Sequence, residues 1–431
     1  MKLAKRATFA WLAFGFGAVL ATAAFAQRVE PGRPRTIIVG TSPAFSPTDR
    51  VDARRSGFSR TNLPTGALRA TFRHSFGQNI EHAPLVLDDG SIVVVVNHNE
   101  LVTMEPGGAP AAPDFQRRAP KFVASLGGGA LGPPTALADG TIVAVNSAGE
   151  AVGVRQGVVR FRTRLGGDRS LAGHVSPVSL DDGGAVVATA NELTALDAEG
   201  GVRARAAVPE ILATPLLAAL GKIIAVAASG TVYGWVPGKE VQKIGAFGAA
   251  IDGGAVLAGP STLTAVVDGT RLAAMDLAHG SVMTRSSVQS AIYLGPPAVR
   301  GEAAYLLAMA PGRTMLVGVD GAGQELSRQQ VSTFTPMALA DGGAMMLVAP
   351  PHAGVLVDAA GTVAFATPEG FIGVSSSSGG VRMLGETPWA TRITAAGKPH
   401  SGNVVGMAPT REGFVVVSEA GNLVEVVGSL P

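Results

Sequence analysis

The chain has no cysteine among its 431 residues, only 5% aromatic residues and only 15% charged ones. Without cysteine there is no disulfide framework, no thiolate metal site, no cysteine nucleophile, and no lipoprotein anchor of the kind built on a cysteine at a cleavage site. Three Trp and three Tyr leave little material for aromatic stacking platforms. After the first 26 residues no apolar run approaches the ~20 residues of a bilayer span, so no membrane span is expected in the processed chain. The formal net charge is +2, too small to read as affinity for nucleic acid.

What is present is 47% apolar residues, with 57 Gly and 28 Pro. Such a composition is neither disordered nor that of a helical bundle, and it fits many short strands joined by tight turns. Residues 1–26 have a basic start (Lys2, Lys5, Arg6), an apolar run from about Ala10 to Ala24 and the small-x-small end Ala24-Phe25-Ala26. That pattern reads as an export signal, which puts the protein in the periplasm or outside the cell. Residues 27–67, with Pro31, Pro34, Pro43, Pro47 and Pro64, read as an extended, exposed Pro/Arg-rich arm. Its cluster Arg50, Arg54, Arg55, Arg60 is expected to pair with Asp49 and Asp52 on the rim of the body.

From residue 68 to 431 the chain is repetitive. One four-residue template, apolar-any-small-apolar, recurs eight times, with Glu425 in the small place of the last copy: Leu101–Met104, Ala151–Val154, Leu193–Leu196, Val232–Trp235, Leu272–Met275, Leu316–Val319, Phe371–Val374 and Leu423–Val426. Counted between fourth positions, the copies are 50, 42, 39, 40, 44, 55 and 52 residues apart. That is the period of a four-stranded propeller blade and not of a helical repeat. Each unit reads as a strand often led by Pro (Pro84, Pro134, Pro177, Pro215, Pro297, Pro336), an Asp-Gly turn, a second strand, a polar turn, the template strand and a more polar fourth strand. Asp-Gly pairs at Asp89, Asp139, Asp182, Asp252 and Asp341 predict two-residue hairpins with positive φ at both central residues. The small residue of the template is expected to relieve crowding where neighbouring sheets converge towards the inside of the ring.

The eighth template is followed by only Val427–Pro431, which leaves no room for an outer strand, whereas Leu68–His74 has no partner of its own. The expected fold is therefore all-β: a single β-propeller of about eight four-stranded blades, closed by this N-terminal strand completing the last blade. Seven blades is the alternative. The doubtful region is 331–390, with two strand-turn-strand candidates, Met337–Leu347 and Val355–Thr367.

The unit Ala-Pro-x-x-x-Asp-Asp-Gly, a Val-rich strand and Glu192 to Gly200 resembles the repeat of pyrroloquinoline-quinone-type β-propellers. That group includes quinoprotein alcohol dehydrogenases and the eight-bladed scaffold propellers of the bacterial outer-membrane assembly machinery. Residues 52–431 carry the resemblance, and Arg54 to Phe72 is similar to the lead-in before a first blade. The family repeat has a Trp on the outer strand, eight residues past the Asp, which docks one blade on the next. Here those places hold Arg205 after Asp197 and Thr284 after Asp276. The dehydrogenases also use a Trp platform, a disulfide of neighbouring cysteines and a Glu/Asn/Asp calcium set. With no cysteine and no suitably placed Trp, the resemblance implies the scaffold and not the redox enzyme.

The seven histidines lack metal-motif spacing. His82 and His174 precede the first strands of blades 1 and 3. With Glu81 they can meet across the channel mouth, and solvated or hydrogen-bonded histidines are the competing reading. Tyr293 joins Glu81, His82 and His174 as a candidate channel-mouth binding residue. Asp197, Asp276 and Asp320 follow template strands and read as turn formers. No catalytic, cofactor or metal residue is assigned, and no cofactor is expected. The expected function is a monomeric, non-enzymatic scaffold that binds an envelope or secreted protein. The alternatives are a quinone-dependent dehydrogenase-like protein and a glycan-binding propeller using Tyr293, Trp235 or Trp389.

Overall fold

The turn chemistry dictates the first element of the architecture. In 87–91, Leu87 N–H donates to the Ser91 carbonyl and Gly90 N–H to the Leu87 carbonyl, both at 2.9 Å, with Gly90 at φ 84°. Asp89 stays out of the positive-φ region and its carboxylate accepts from Ser91 N–H at 2.9 Å. This is a three-residue hairpin, a type I turn closed by a left-handed Gly, and not the expected two-residue form. The same bonds recur in 137–141 and 180–184. Asp252 departs further: it lies inside the strand Ile251–Ala258 and not in a turn. The Asp341 pair and the candidate Met337–Leu347 lie outside the described residues.

The computed structural model describes residues 46, 48, 51–105, 119–167, 175–287, 291–333, 354–367, 371–376, 380–384 and 404–428. Their strands form eight four-stranded antiparallel sheets. Blades 1 to 7 occupy 85–125, 135–164, 178–207, 217–246, 251–287, 292–333 and 354–383. Blade 8 combines 404–428 with the N-terminal strand Leu68–Ser75, which pairs antiparallel with Asn422–Gly428 as expected. Val355–Thr367 supplies the first two strands of blade 7. The ring is thus an eight-bladed β-propeller with each blade's first strand innermost.

Second and third strands are buried over most of their length, and Ile92–Val96 over all of it, because a blade is covered on both faces by its neighbours. The core is accordingly divided into eight apolar clusters, each built from two adjacent blades, including the closing pair 8 and 1. Outer strands alternate between exposed and half-buried residues, as in Val158–Arg164. Six of them carry a bulge that breaks register with the third strand, a device that discourages edge-to-edge association.

The small template residue has a different cause from the expected one. A Cβ on Gly153 would overlap the ring of Phe161 on the outer strand of the same blade, and one on Gly373 would lie 2.6 Å from Phe365 on the second strand. Gly makes room for an aromatic ring within its own sheet. Phe161 also fills the space over Gly200 of blade 3, so it packs one blade on the next.

The described part of the arm is largely buried, although Arg54, Arg60, Asn62 and residues 65–67 are exposed. Val51, Ala53, Arg55, Ser56, Ser59 and Leu63 are at most 5% accessible. Ser46 pairs with Val86 of blade 1 and Thr48 with Thr135 of blade 2. The carbonyls of Ala53, Arg54, Ser56 and Gly57 accept from Ala218, Leu257, Val299 and Val357, on the innermost strands of blades 4, 5, 6 and 7, at 2.7–3.1 Å. Thr61 Oγ1 donates to Thr410 of blade 8 at 2.9 Å. Blade 3 is reached by the Arg55 side chain, which donates to Pro177 O at 2.6 Å, to Ser176 O at 3.4 Å and, on blade 4, to Leu216 O at 3.1 Å. The segment is a belt inside the ring that touches all eight blades. The innermost strands expose unpaired peptide groups to the axis, and the belt satisfies them where water would otherwise have to. Val51 at φ 81° and Arg55 at φ 55° are strained conformations that the surrounding bonds hold in place.

Candidate functional site

The face carrying the blade-to-blade connections is called upper here; the opposite face carries the first-to-second and third-to-fourth strand turns. Glu81 and His82 lie on the upper face, in the connection from the closing strand to blade 1. The structure brings them together with a third residue that the sequence reading did not single out, His98. Its Nδ1 is 2.8 Å from Glu81 Oε2, with both side chains about half exposed. His98 O accepts from Ala130 N–H at 2.6 Å, and Ala130 O lies 3.3 Å from His82 Nε2. Glu81, His82 and His98 therefore converge on the connection between blades 1 and 2. His98 and its neighbour Asn97 both have positive φ, 63° and 50°. Two consecutive non-Gly residues in that region are uncommon, and their cost is met by bonds from Asn97 N–H to Asn79 O and from Ala130 to His98 O. The signal available in sequence was the polar turn 97–100 opposite Glu81, which spacing alone does not pair.

The other candidates do not join this cluster. His174 lies outside the described residues. Tyr293 is buried at 1% exposure between blades 5 and 6, where its hydroxyl is 3.1 Å from Ser286 Oγ. Burial pushes its phenol above the ordinary tyrosine value, and its ring is not presented to solvent. Trp235 is fully buried, with Nε1 donating to Lys239 O at 2.9 Å. Trp389 lies outside the described residues. Asp197, Asp276 and Asp320 cap their own turns, each accepting from backbone N–H groups.

A second upper-face group also escaped the sequence reading. Tyr233 donates to Glu210 Oε1 at 2.7 Å, and Ser229 bonds the same carboxylate. Burial, then the bond to Glu210, pushes the Tyr233 phenol up to about 12. Hydrogen bonds from Ser229 and Tyr233 hold Glu210 below the usual glutamate value. A low-lying carboxylate beside a reluctant phenol is a strut and not a proton-transfer pair at neutral pH.

On the lower face, a cavity of about 250 Å³ opens between blades 1 and 2. It is lined by Asp89, Lys121, Phe122, Asp139 and Arg155, and its charges pair off: Lys121 with Asp89 at 3.0 Å and Arg155 with Asp139 at 3.3 Å. For Asp89, burial works upward, but hydrogen bonds from Ser91 and Lys121 outweigh it and lower the carboxyl. Among the described residues no group of three or more His, Asp or Glu side chains is placed to hold a metal ion. Among the described residues no helix is long and apolar enough to cross a membrane.

No protein-family model matches the chain, and no curated protein is similar to it in sequence. Solved structures are similar in fold. BamB from Moraxella catarrhalis superposes with a TM-score of 0.55 at 14% identity, over 84% of this chain and 98% of that one. The computationally designed Ika8 protein gives 0.57 at 13% identity, over 84% and 100%. The quinohemoprotein alcohol dehydrogenase ADHIIG from Pseudomonas putida HK5 gives 0.61 at 10% identity, over 93% of this chain and 84% of that one. BamB, a designed protein and a quinohemoprotein dehydrogenase share this fold with the chain, so the likeness fixes the propeller fold and leaves function to the residues.

Proposed function

We propose that the chain is an exported, non-enzymatic β-propeller that serves as a protein-interaction scaffold in the bacterial cell envelope. The observation that carries this reading is the belt. Residues 46, 48 and 51–63 line the inside of the ring and bond every blade in or beside its innermost strand, which makes the propeller a braced ring and commits its axis to the chain's own backbone. The binding surface is then its faces and edges, where a rigid ring offers a broad platform. The first 26 residues supply the export signal in this reading. The upper-face pair of Glu81 and His98, polar and half exposed, with His98 held at positive φ and His82 buried beside it, is the patch best formed to meet a partner.

In-cell crosslinking of the tagged chain, followed by mass spectrometry of the captured proteins, tests the proposal. Reproducible capture of one envelope protein, reduced when Glu81 and His98 are both changed to Ala, supports it. Reconstitution with pyrroloquinoline quinone and calcium is the opposing arm. A bound chromophore with dye-linked alcohol oxidation, and no captured protein, would overturn it.

A further inference from the structure

We propose that the third-to-fourth-strand hairpin of blade 2, residues 150–164, is a docking surface for an extended acidic segment of a partner protein; this rests on the scaffold reading and names the chemistry of one partner. The hairpin holds Arg155, Arg160, Arg162 and Arg164 against the single acid Glu150, so it carries 4 − 1 = +3 in a chain whose total is +2. Two of the four arginines are spent. Arg155 pairs with Asp139 on the lower face, and Arg162 bonds Glu150 and the carbonyls of Ser125 and Leu126 on blade 1. Arg160 and Arg164 are exposed and make no side-chain ion pair among the described residues. Beside them Val158 and Val159 are 59% and 37% exposed, a large apolar contact for an outermost strand.

The mode of capture follows from the register. The outer strand Val158–Arg164 is a sheet edge, which would ordinarily invite a further strand. Its register slips opposite Gly153 and Val154, leaving Arg160 as the extra residue, and the ladder is interrupted there. Backbone pairing is therefore blocked in mid-strand, while the guanidinium groups remain free to take carboxylates in their two-pronged geometry. Seven strand residues span roughly 23 Å, a length that suits an extended segment and not a compact ligand. Single-sign charge at the free positions selects an acidic one.

The test is fluorescence anisotropy of a labelled oligoglutamate peptide titrated with the full chain. The expected result is saturable binding that weakens as salt rises, and a loss of affinity of about tenfold or more in R160E/R164E. The melting temperature should fall only slightly, because neither arginine has an ionic partner to lose and the one new like-charge contact, across the register from Glu150 to position 164, is solvent-screened. Lys243→Glu, on the outer strand of blade 4, should leave the affinity unchanged. Binding that ignores R160E/R164E overturns the proposal, as does tighter binding of a sulphated polysaccharide than of oligoglutamate at the same arginines. Repeating the in-cell capture with R160E/R164E separates this surface from the scaffold reading: loss of an acidic partner supports both, and an unchanged set of partners overturns this surface while the scaffold reading stands.

Discussion

Arg205 Nη2 donates to the backbone carbonyl of Arg164 at 2.9 Å, tying the outer strand of blade 3 to the end of the outer strand of blade 2. Arg162 repeats the arrangement one blade earlier, reaching Ser125 O at 3.0 Å and Leu126 O at 2.7 Å. Each arginine is steadied by a glutamate at the start of its third strand, Glu192 or Glu150. Each lies over a glycine where a Cβ would intrude, Gly166 or Gly127. In both places a charged fork docks one blade on the next.

Because Arg205 and its glutamate are partly exposed, their ion pair contributes little and the bond to the carbonyl carries the effect. Arg205→Ala should lower unfolding free energy by about 1 kcal/mol. A Cβ at Gly166 would lie 2.6 Å from the Glu192 carboxylate and 2.9 Å from the Arg205 guanidinium. Gly166→Ala should push the pair aside at similar cost. Denaturant unfolding of the double variant should show a loss well short of the sum, a coupling of at least about 0.5 kcal/mol; strict additivity would mean the two residues do not act as one strut.

The ring was legible because each blade repeats the same physical solution: Val-rich runs such as Ile92–Val96 are apolar on both faces, and in the first three blades an Asp-Gly pair leads into them. The closing strand was legible because Leu68–Ser75 and Leu423–Val426 were each incomplete alone. The belt was not. Its prolines and arginines have the composition of an exposed arm, and nothing in the spacing of Ser46 to Leu63 reveals that the acceptors for Arg55 are carbonyls 121 to 161 residues away. His98 escaped for a similar reason, since its link to Glu81 passes through a turn conformation that its residue type permits but does not announce.

Arg55 is the residue on which the belt's seating depends. It is fully buried, and its partners on blades 3 and 4 are carbonyls with fixed positions. Arg55→Ala would strand those acceptors and should cost about 2–4 kcal/mol. Arg55→Lys should recover little, since one ammonium cannot span acceptors that a planar fork reaches together. Native-state hydrogen exchange should show the amides of Leu257, Val299 and Val357, which donate to the belt, losing protection first in Arg55→Ala. Equal loss across all eight blades would show that the belt is not a separate unit.

The ring of Phe161 predicts an order of tolerance at the template glycines. Gly153→Ala places a methyl group inside that ring's volume and should cost about 1–3 kcal/mol. Phe161→Ala removes a ring that packs against Gly153 and Gly200 and should also destabilise. The combination should be close to Phe161→Ala alone, because the added methyl then enters the vacated space. Thermal melts of the three variants decide it: a double variant much weaker than Phe161→Ala would place the Gly153 constraint in the backbone instead.

Glu425 occupies the third position of the eighth template, where Gly153 and Gly373 stand in blades 2 and 7. It lies on the strand that pairs with the closing strand, opposite Phe72. Burial raises its carboxyl above the usual glutamate value; the like charge of Glu412 adds to this, and hydrogen bonding from Thr410 opposes it. A group whose folded value exceeds its unfolded one holds its proton better in the folded state. Its contribution is fully present below the unfolded value and is lost as pH rises through the raised folded value. Glu425→Gln keeps the shape without the charge, so it should melt higher than the parent at neutral pH. The advantage should shrink as pH falls below the ordinary glutamate value, where both side chains are neutral. A pH series of melting temperatures for the two proteins reads this directly, and a constant difference across the series would show that the carboxyl at the ring closure does not titrate with folding.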